Sequence, residues 1–241
     1  MSTMRTRRAK PAKKIDMEAW WSAGGEQPVT ATCSVAVAAA LSPASPPKLP
    51  PDIVVGVIGK AGSGKDTVAD HLVRDHGFTK MALADPIRKI VETVFFVDFS
   101  TYNTDRGMRD RPLPDYPTWT VRKLQQIIGT EFFREHVDED VWIKNLCARV
   151  SRCQYPVVVA DIRFPNERDK LKAMLRAAGR HMVFVKLTRP GYDGSVGVSG
   201  HASEAHDLPG DIEIANDETV AELETAVDKA LTKWSKKRRR N

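Results

Sequence analysis

A glycine-rich segment, Gly59–Thr67 (GKAGSGKDT), holds the residues whose types and spacing are best suited to chemistry. Its glycines let the backbone turn N–H groups inward as a nest for an anion, and the helix that follows adds its partial positive charge. Lys65 is placed to reach the β- and γ-phosphates of a nucleotide. The segment predicts a phosphate loop formed by Gly59, Ala61, Gly62, Ser63, Gly64, Lys65, Asp66 and Thr67.

The loop departs from the usual phosphate-binding pattern at one position that bears on metal binding. The pattern G-x-x-x-x-G-K-[ST] ends in serine or threonine, whose hydroxyl holds Mg²⁺, but here Asp66 follows Lys65. Asp66 could ligate the ion directly or through water, or Thr67 could take the role. We therefore predict Mg²⁺ beside the loop, and the sequence leaves its ligand open between these two residues.

A second group of polar residues follows the apolar run Pro156–Ala160 (PVVVA). Asp161 stands where a carboxylate could serve Mg²⁺ or the substrate, although an aspartate in this place is also a common helix or turn cap. Asn166 is predicted to be the N-cap of the following helix. Because side chains alternate along an extended segment, Asp161 and Arg163 point to the same side. One of the two side chains would then contact a metal ion or a sugar hydroxyl, and the other would contact a phosphate.

Arginines supply the positive charge that phosphoryl transfer needs around the migrating group. Arg163 and Arg189 are the strongest candidates because each lies just past a predicted strand. Arg189 also precedes a glycine-rich stretch, Gly191–Gly200, that is expected to act as a lid and exclude water. A surface loop without function is the alternative for that stretch. The other candidates, each of which taken alone suits a solvated surface, are Arg88, Arg122 and Arg134.

Apolar runs alternate with helix-like segments, which predicts an α/β fold. Three continuous runs, Ile53–Ile58, Pro156–Ala160 and His181–Leu187, are typical of strands covered on both faces of a parallel sheet. Shorter strands are predicted at Phe78–Ala84 and Asp211–Ala215. The predicted helices are Asp66–Asp75, Pro86–Phe96, Val121–Arg134, Val141–Val150, Asn166–Ala178 and Glu218–Trp234. We expect a P-loop NTPase fold with a five-stranded parallel sheet flanked by helices, whose ligands bind beyond the carboxyl ends of the strands.

Charge and composition limit the classes of partner. The net charge of +6 comes from the two ends, because residues 1–14 hold six Lys or Arg and the last six residues hold five, with no acid in either segment. Without those eleven, 26 basic residues face 31 acidic ones, so contact with nucleic acid is expected only through the tails. The three cysteines, and the histidines His201 and His206, lack metal-ligand spacing. No apolar run is long enough to span a membrane. The apolar segment Thr30–Leu41 could resemble a signal peptide, but acidic residues and tryptophans separate it from the basic start and an intracellular nucleotide-binding motif follows it, so we expect a cytoplasmic protein.

Three regions are predicted along the chain. Residues 1–51 are basic and then rich in proline, which favours a disordered extension. Residues 52–234 form the P-loop domain. Residues 235–241 form a basic C-terminal tail.

Four short segments occur in a specific order along the P-loop domain. They are Gly64–Thr67 (GKDT), Leu124–Glu135 (LQQIIGTEFFRE), Asp161–Glu167 (DIRFPNE) and His201–Glu204 (HASE), the last ahead of Ile214–Leu223. Together they resemble the phage-type deoxynucleoside monophosphate kinases, within the nucleoside monophosphate kinase-like P-loop family. The likeness covers about Ile53 to Leu231. A GKD ending is expected in this family, so Asp66 does not count against Mg²⁺.

The resemblance implies transfer of the γ-phosphate of ATP to a deoxynucleoside monophosphate, with Mg²⁺, for the supply of DNA precursors. Lys65, Asp161, Arg163 and Arg189 would be the catalytic residues, and the metal ligands would come from Asp66, Thr67 and Asp161. The acceptor would bind in a helical region at about 98–150, and a lid would span about 189–206. A homodimer is compatible with the resemblance, and a phage-encoded chain would work in the host cytoplasm. The residues implied at the acceptor are Arg88, Gln125, Thr130, Glu131, Arg134 and Arg163, although the GTE segment could equally pack helices.

Two other functions stay open at this point. One is a P-loop kinase for another small phosphorylated acceptor, because phosphomevalonate kinases resemble this loop and dephospho-coenzyme A kinases share the architecture. The other is a nucleotide-gated protein that uses its basic tails on nucleic acid, against which the acidic body argues. Nucleotide turnover that survives deletion of both tails would exclude the second.

Overall fold

The computed structural model describes residues 49–104, 106–191 and 207–238. Most of the predicted extension (1–48), most of the predicted lid (192–206) with His201 and His206, and residues 239–241 lie outside the described residues. The described part corresponds to the predicted P-loop domain together with the first residues of the predicted tail.

A parallel sheet forms the centre of the described residues. In chain order, the strands are β1 (Ile53–Ile58), β2 (Thr79–Met81), β3 (Pro112–Leu113), β4 (Tyr116–Thr120), β5 (Val157–Val159), β6 (His181–Thr188) and β7 (Ile212–Ala215). Five of them form one sheet in the order β2-β5-β1-β6-β7, with every neighbouring pair parallel. Strands β3 and β4 form a separate antiparallel hairpin. The predicted α/β fold with a five-stranded parallel sheet is confirmed.

Helices cover both faces of this sheet. In chain order, they are α1 (Lys65–His76), α2 (Asp85–Phe95), α3 (Phe99–Thr104), α4 (Val121–Gln126), α5 (Phe133–His136), α6 (Val141–Arg152), α7 (Pro165–Ala177) and α8 (Val220–Arg238). A 3₁₀ turn, Arg106–Asp110, and a π-helical turn, Ile127–Phe132, complete the described elements. Among them we find no helix with the length and apolar character that crossing a membrane requires.

Alternate residues of β1 face two separate hydrophobic clusters, which explains why this strand is apolar throughout. Val54 lies in a cluster with residues of α6 and α7, including Leu146 and Leu171. Val55 lies in the other cluster, with residues of α1 and α8, including Leu72. Because successive side chains of a strand point to opposite faces, a strand buried on both faces has no polar position.

The predicted helix Val121–Arg134 is interrupted by a π-helical turn. Within that turn, Gly129 is buried, and its carbonyl accepts a hydrogen bond of 2.7 Å from the indole N–H of Trp142. A π-turn adds a residue to the helical repeat and rotates the side chains that follow it. Phe132, at the end of this turn, is 56% exposed, whereas Trp142 is buried.

The last helix runs beyond its predicted end at Trp234 and continues to Arg238. The guanidinium of Arg238 donates two hydrogen bonds, of 2.6 and 3.2 Å, to the carboxylate of Asp52, directly before β1. Burial raises the pKa of Asp52, but the hydrogen bond and charge of Arg238 outweigh this effect and hold the pKa below its ordinary value. The start of the predicted tail is therefore tied to the sheet.

Replacing Arg238 by methionine should lower the free energy of unfolding by about 1 kcal/mol or less at pH 7, because the pair is partly exposed to solvent. A lowered aspartate pKa contributes stability above the unfolded-state pKa, and this contribution is lost as the pH falls below about 4. Urea unfolding of both proteins between pH 7 and pH 3 measures this difference. Lys237→Met, a change at the exposed neighbour, is the control, and an equal loss in both variants would contradict the prediction.

Candidate active site

The phosphate loop connects β1 to α1, and two of its glycines are required by geometry. Gly59 has φ of 144°, and a Cβ there would lie 2.5 Å from the carbonyl oxygen of Leu187. Gly64, the residue before α1, has φ of 98°, and a Cβ there would lie 2.7 Å from the side-chain nitrogen of Asn216. Positive φ and close backbone approach are the conditions under which only glycine is free of strain. The loop is therefore folded tightly against the ends of β6 and β7.

Lys65 lies against the start of its own loop. Its Nζ donates hydrogen bonds of 2.7 Å to the carbonyl oxygens of Gly59 and of Lys60. Ser63 is 2% exposed, and its hydroxyl has no hydrogen-bond partner within the described ranges 49–104, 106–191 and 207–238. A buried hydroxyl without a partner is uncommon and is a reason to look for a ligand.

Asn216, which sequence reasoning did not single out, holds the phosphate loop from the end of β7. Its side-chain N–H donates to the carbonyl oxygen of Ser63 at 3.0 Å, and its backbone N–H donates to Thr188 at 2.7 Å. Asn216 follows β7 directly and lies in the segment Ile214–Leu223, which was noted for its resemblance. That resemblance was the only available signal, because the contact joins residues 153 positions apart.

Arg189 comes directly after β6, as predicted, and the structure brings it to the loop. Its Nη1 lies 3.5 Å from the carbonyl oxygen of Gly62, which is at the outer limit of a hydrogen bond. The side chain is exposed.

The two residues predicted at the start of α1 differ in their surroundings. Asp66 is exposed, and its Oδ1 lies 3.5 Å from Nζ of Lys80, which also donates to Asp70 at 2.8 Å. Thr67 is half-buried one position further along α1. Both residues keep oxygen atoms on the first turn of the helix.

Asp161 follows β5, and both of its oxygens accept backbone hydrogen bonds. The donors are the N–H groups of Leu83 and Ala84, each at 3.0 Å, in the turn that leads into α2. Burial raises the pKa of Asp161, and the two N–H donors oppose that effect. This is the turn-capping role that the sequence left open for Asp161, and the site it forms lies at the carboxyl edge of the sheet.

Glu167, which sequence reasoning also missed, organises the turn that contains Arg163. Glu167 is 3% exposed and accepts hydrogen bonds from the backbone N–H groups of Arg163, at 3.0 Å, and Phe164, at 3.3 Å. Its second oxygen accepts a charged hydrogen bond of 2.8 Å from Arg134. The side chain of Arg163 remains exposed at this turn. The DIRFPNE segment therefore forms a turn whose backbone N–H groups are held by the buried carboxylate of Glu167.

The prediction that Asn166 is an N-cap is wrong. Helix α7 begins at Pro165, so Asn166 lies inside its first turn, and the preceding N–H groups are satisfied by Glu167 instead. Proline is well suited to the first helical position because the N–H that it lacks would have no partner there. Glu167, placed three residues after the cap, is where a capping carboxylate is expected.

The other candidate arginines have different partners. Arg88 donates to Asp85 at 3.3 Å, close to Asp161, and the charge of Arg88 opposes the rise in that residue's pKa. Arg149, absent from the predictions, donates to the same Asp85 at 2.9 Å and to the carbonyl oxygen of Ala82, in the turn before α2, at 2.5 Å. Arg122 pairs with the exposed Asp110, as expected of a solvated surface residue.

The remaining predicted acceptor residues lie on the α4 and π-helical segment. Gln125 is half-buried, whereas Thr130 and Glu131 are exposed on the π-turn. The carbonyl oxygen of Glu131 is 2.7 Å from the imidazole Nδ1 of His136. Arg134 is thus joined to the DIRFPNE turn through its hydrogen bond to Glu167, whereas the side chains of Thr130 and Glu131 face solvent.

Solved structures resemble the fold only weakly. The APS kinase CysC of Mycobacterium tuberculosis in complex with AMPPNP and APS is 13% identical, with a TM-score of 0.44, over 76% of this chain and 99% of that one. A gluconokinase of Sinorhizobium meliloti 1021 is 15% identical, with a TM-score of 0.44, over 78% of this chain and 96% of that one. These scores are too low to support any statement about the substrate of this chain.

Sequence comparisons are more informative. The family model for deoxynucleotide monophosphate kinase matches residues 113–227, a range that includes the DIRFPNE turn but begins after the phosphate loop. A protein of Acanthamoeba polyphaga mimivirus, provisionally assigned as a deoxynucleotide monophosphate kinase, is 30% identical over 152 residues, which span 58% of this chain and 75% of the relative. This confirms the resemblance that the four segments indicated. The chain is a P-loop kinase and belongs to the deoxynucleotide monophosphate kinase family.

Proposed function

We propose that this protein transfers the γ-phosphate of ATP to a deoxynucleoside monophosphate and so supplies precursors for DNA synthesis. The observation that supports the proposal is that the phosphate loop, which holds Lys65, and the DIRFPNE turn follow two paired strands. Strands β1 and β5 pair directly, with Gly56 opposite Val159, so the loop after β1 and the turn after β5 leave the same edge of the sheet. Ligands of such sheets bind at that edge.

The proposed chemistry is one direct, in-line transfer. A phosphate oxygen of the acceptor forms a bond to the γ-phosphorus while the bond from that phosphorus to the bridging oxygen of ADP breaks. The acceptor oxygen is already ionised at neutral pH, so no residue has to act as a general base. Lys65, the loop N–H groups, Arg163 and Arg189 would neutralise the charge that spreads over the transferred group.

The donor set near the loop fits Mg²⁺, which prefers carboxylate, hydroxyl and water oxygens. Asp66 and Thr67 place such oxygens on the first turn of α1, and the carboxylate of Asp66 is exposed. Asp161 would act through water, because each of its oxygens already accepts a backbone N–H. When bound, the ion would neutralise negative charge on the phosphates.

We further propose that the acceptor lies over the helical region at about 98–150. Arg88 and Arg163 would contact its phosphate, while Gln125, Thr130 and Glu131 would face its nucleoside. Arg134 would act mainly through Glu167, to which it already donates a hydrogen bond. The segment 189–206 is proposed to close over the bound nucleotides.

The test is ADP formation from ATP and Mg²⁺ by the purified protein. The acceptors are the four deoxynucleoside monophosphates, their ribose counterparts and phosphomevalonate. Turnover with one or more deoxynucleotides supports the proposal and identifies the accepted bases. Binding of ATP without turnover of any nucleotide would contradict it, and turnover of phosphomevalonate alone would move the assignment to another small phosphorylated acceptor.

A further inference from the structure

Two buried histidines of α1 converge on one carboxylate of α8, away from the phosphate loop. His71 is 4% exposed and His76 is 7% exposed. Nε2 of His71 lies 2.8 Å, and Nε2 of His76 lies 2.7 Å, from the same oxygen, Oδ1 of Asp228. His71 and His76 come six and eleven residues after Lys65 on α1, or roughly 9 and 16 Å along the helix axis. The cluster is therefore separate from the proposed catalytic site.

A second carboxylate orients His71 from the other side of its ring. Nδ1 of His71 lies 2.8 Å from Oδ2 of Asp75. Histidines that bind metals usually donate their other ring N–H to a carboxylate, which fixes the tautomer and directs the free lone pair at the ion. With Nδ1–H donating to Asp75, the lone pair of His71 Nε2 points toward His76 and Asp228.

Neutral imidazoles do not satisfy these contacts by hydrogen bonding alone. A neutral imidazole carries one N–H, but each ring nitrogen of His71 faces a carboxylate oxygen. Without a metal ion, both imidazoles would have to donate an N–H group to Oδ1 of Asp228. A cation held between Nε2 of His71, Nε2 of His76 and Oδ1 of Asp228 would make these donors unnecessary. The doubly protonated imidazolium is the competing arrangement, and it would bind no metal.

We propose that His71, His76 and Asp228 bind a divalent transition-metal ion of the Zn²⁺ type. Two imidazole nitrogens and a carboxylate oxygen suit such ions, and three protein ligands leave a fourth position for water. The three ligand atoms lie within 4.8 Å of one another, so small side-chain movements would place all of them at bonding distance. Asp228 is 40% exposed, which gives the ion a path from solvent.

The surrounding charges balance a divalent ion. Asp75, Glu224 and Asp228 carry three negative charges, and Arg74, which pairs with both Asp75 and Glu224, carries one positive charge. These groups contribute a net charge of about −2, which is equal and opposite to the charge of the ion. Because α1 begins at Lys65 and α8 is the last helix, the ion would link the helix of the phosphate loop to the C-terminal helix.

The test uses the full chain without an affinity tag, freed of metal with a chelator and then titrated with Co²⁺. We expect one equivalent of Co²⁺ to give the strong visible absorption of a tetrahedral site, and Zn²⁺ to displace it. Zn²⁺ at a hundredfold excess over its Kd should raise the melting temperature by about 5–10 °C. Absence of both the tetrahedral band and the thermal shift would overturn the proposal.

Variants identify the ligands. His76→Gln and Asp228→Asn retain hydrogen-bonding groups and should abolish the tetrahedral band, whereas His181→Gln, at a histidine that is 45% exposed on β6, should leave it unchanged. Circular dichroism of the metal-free variants checks that they are folded. Retention of the band in both ligand variants would place the metal elsewhere and overturn the assignment. These measurements do not involve nucleotide turnover, so their outcome is independent of the proposed kinase reaction.

Discussion

Replacing Lys65 by alanine is expected to lower kcat/KM for ATP-dependent phosphoryl transfer by about 10³-fold or more. Nζ of Lys65 lies 2.7 Å from the carbonyl oxygens of Gly59 and Lys60, so its charge is held within the loop that we propose binds the phosphates. A charged donor fixed in this way acts on charge that develops in the transition state, and its loss typically lowers the rate by such factors. Steady-state ADP formation measures the effect.

Lys60 provides a matched control on the same loop. Its side chain is exposed, and its carbonyl oxygen, which the substitution keeps, accepts the hydrogen bond from Lys65, so Lys60→Ala should change kcat/KM by no more than about twofold, because exposed charges are screened by solvent. Both variants should unfold at the temperature of the wild type. Equal losses of activity in the two variants, or full activity of Lys65→Ala, would show that Lys65 is not the phosphate-binding lysine.

The second large effect concerns stability. Glu167→Ala is expected to lower the free energy of unfolding by about 2–4 kcal/mol. The change leaves the N–H groups of Arg163 and Phe164 without their acceptor and removes the partner of Arg134, whose side chain is 25% exposed. Denaturation by guanidinium chloride, followed by circular dichroism, measures the loss.

Asp169 provides the comparison on the same helix. Its side chain is 69% exposed and pairs with Arg168, so Asp169→Ala should change the free energy of unfolding by about 0.5 kcal/mol or less. Glu167→Gln should fall between the two, because the amide keeps one acceptor oxygen. A loss for Glu167→Ala no larger than that for Asp169→Ala would mean that the buried carboxylate does not hold the turn.

The buried strands and the phosphate loop can be predicted from the sequence because each is determined by residues that are neighbours along the chain. A strand covered on both faces must be apolar at consecutive positions, and Val54 and Val55 face opposite clusters for this reason. The glycines of the phosphate loop are likewise required by their own backbone angles, as at Gly64.

The helix over 121–134 shows where local pattern misleads. Its apolar spacing favours one regular helix, but the close contact of Gly129 with Ile87 and the hydrogen bond from Trp142 accompany a π-turn. The extra residue in that turn leaves Phe132 exposed, which no single-helix periodicity predicts.

By itself, the sequence determined the α/β class, the phosphate loop and the family, because each depends on residues that are neighbours along the chain. Only the tertiary structure decided which distant groups meet. Asp161 bonds to Leu83, Glu167 to Arg134, Asn216 to Ser63 and His71 to Asp228, across 78, 33, 153 and 157 positions. A polar side chain is compatible with many partners, and the one it finds is set by how the helices pack on the sheet. The capping of Asp161, the buried Glu167 and the paired histidines are therefore properties of the folded chain and of no local segment.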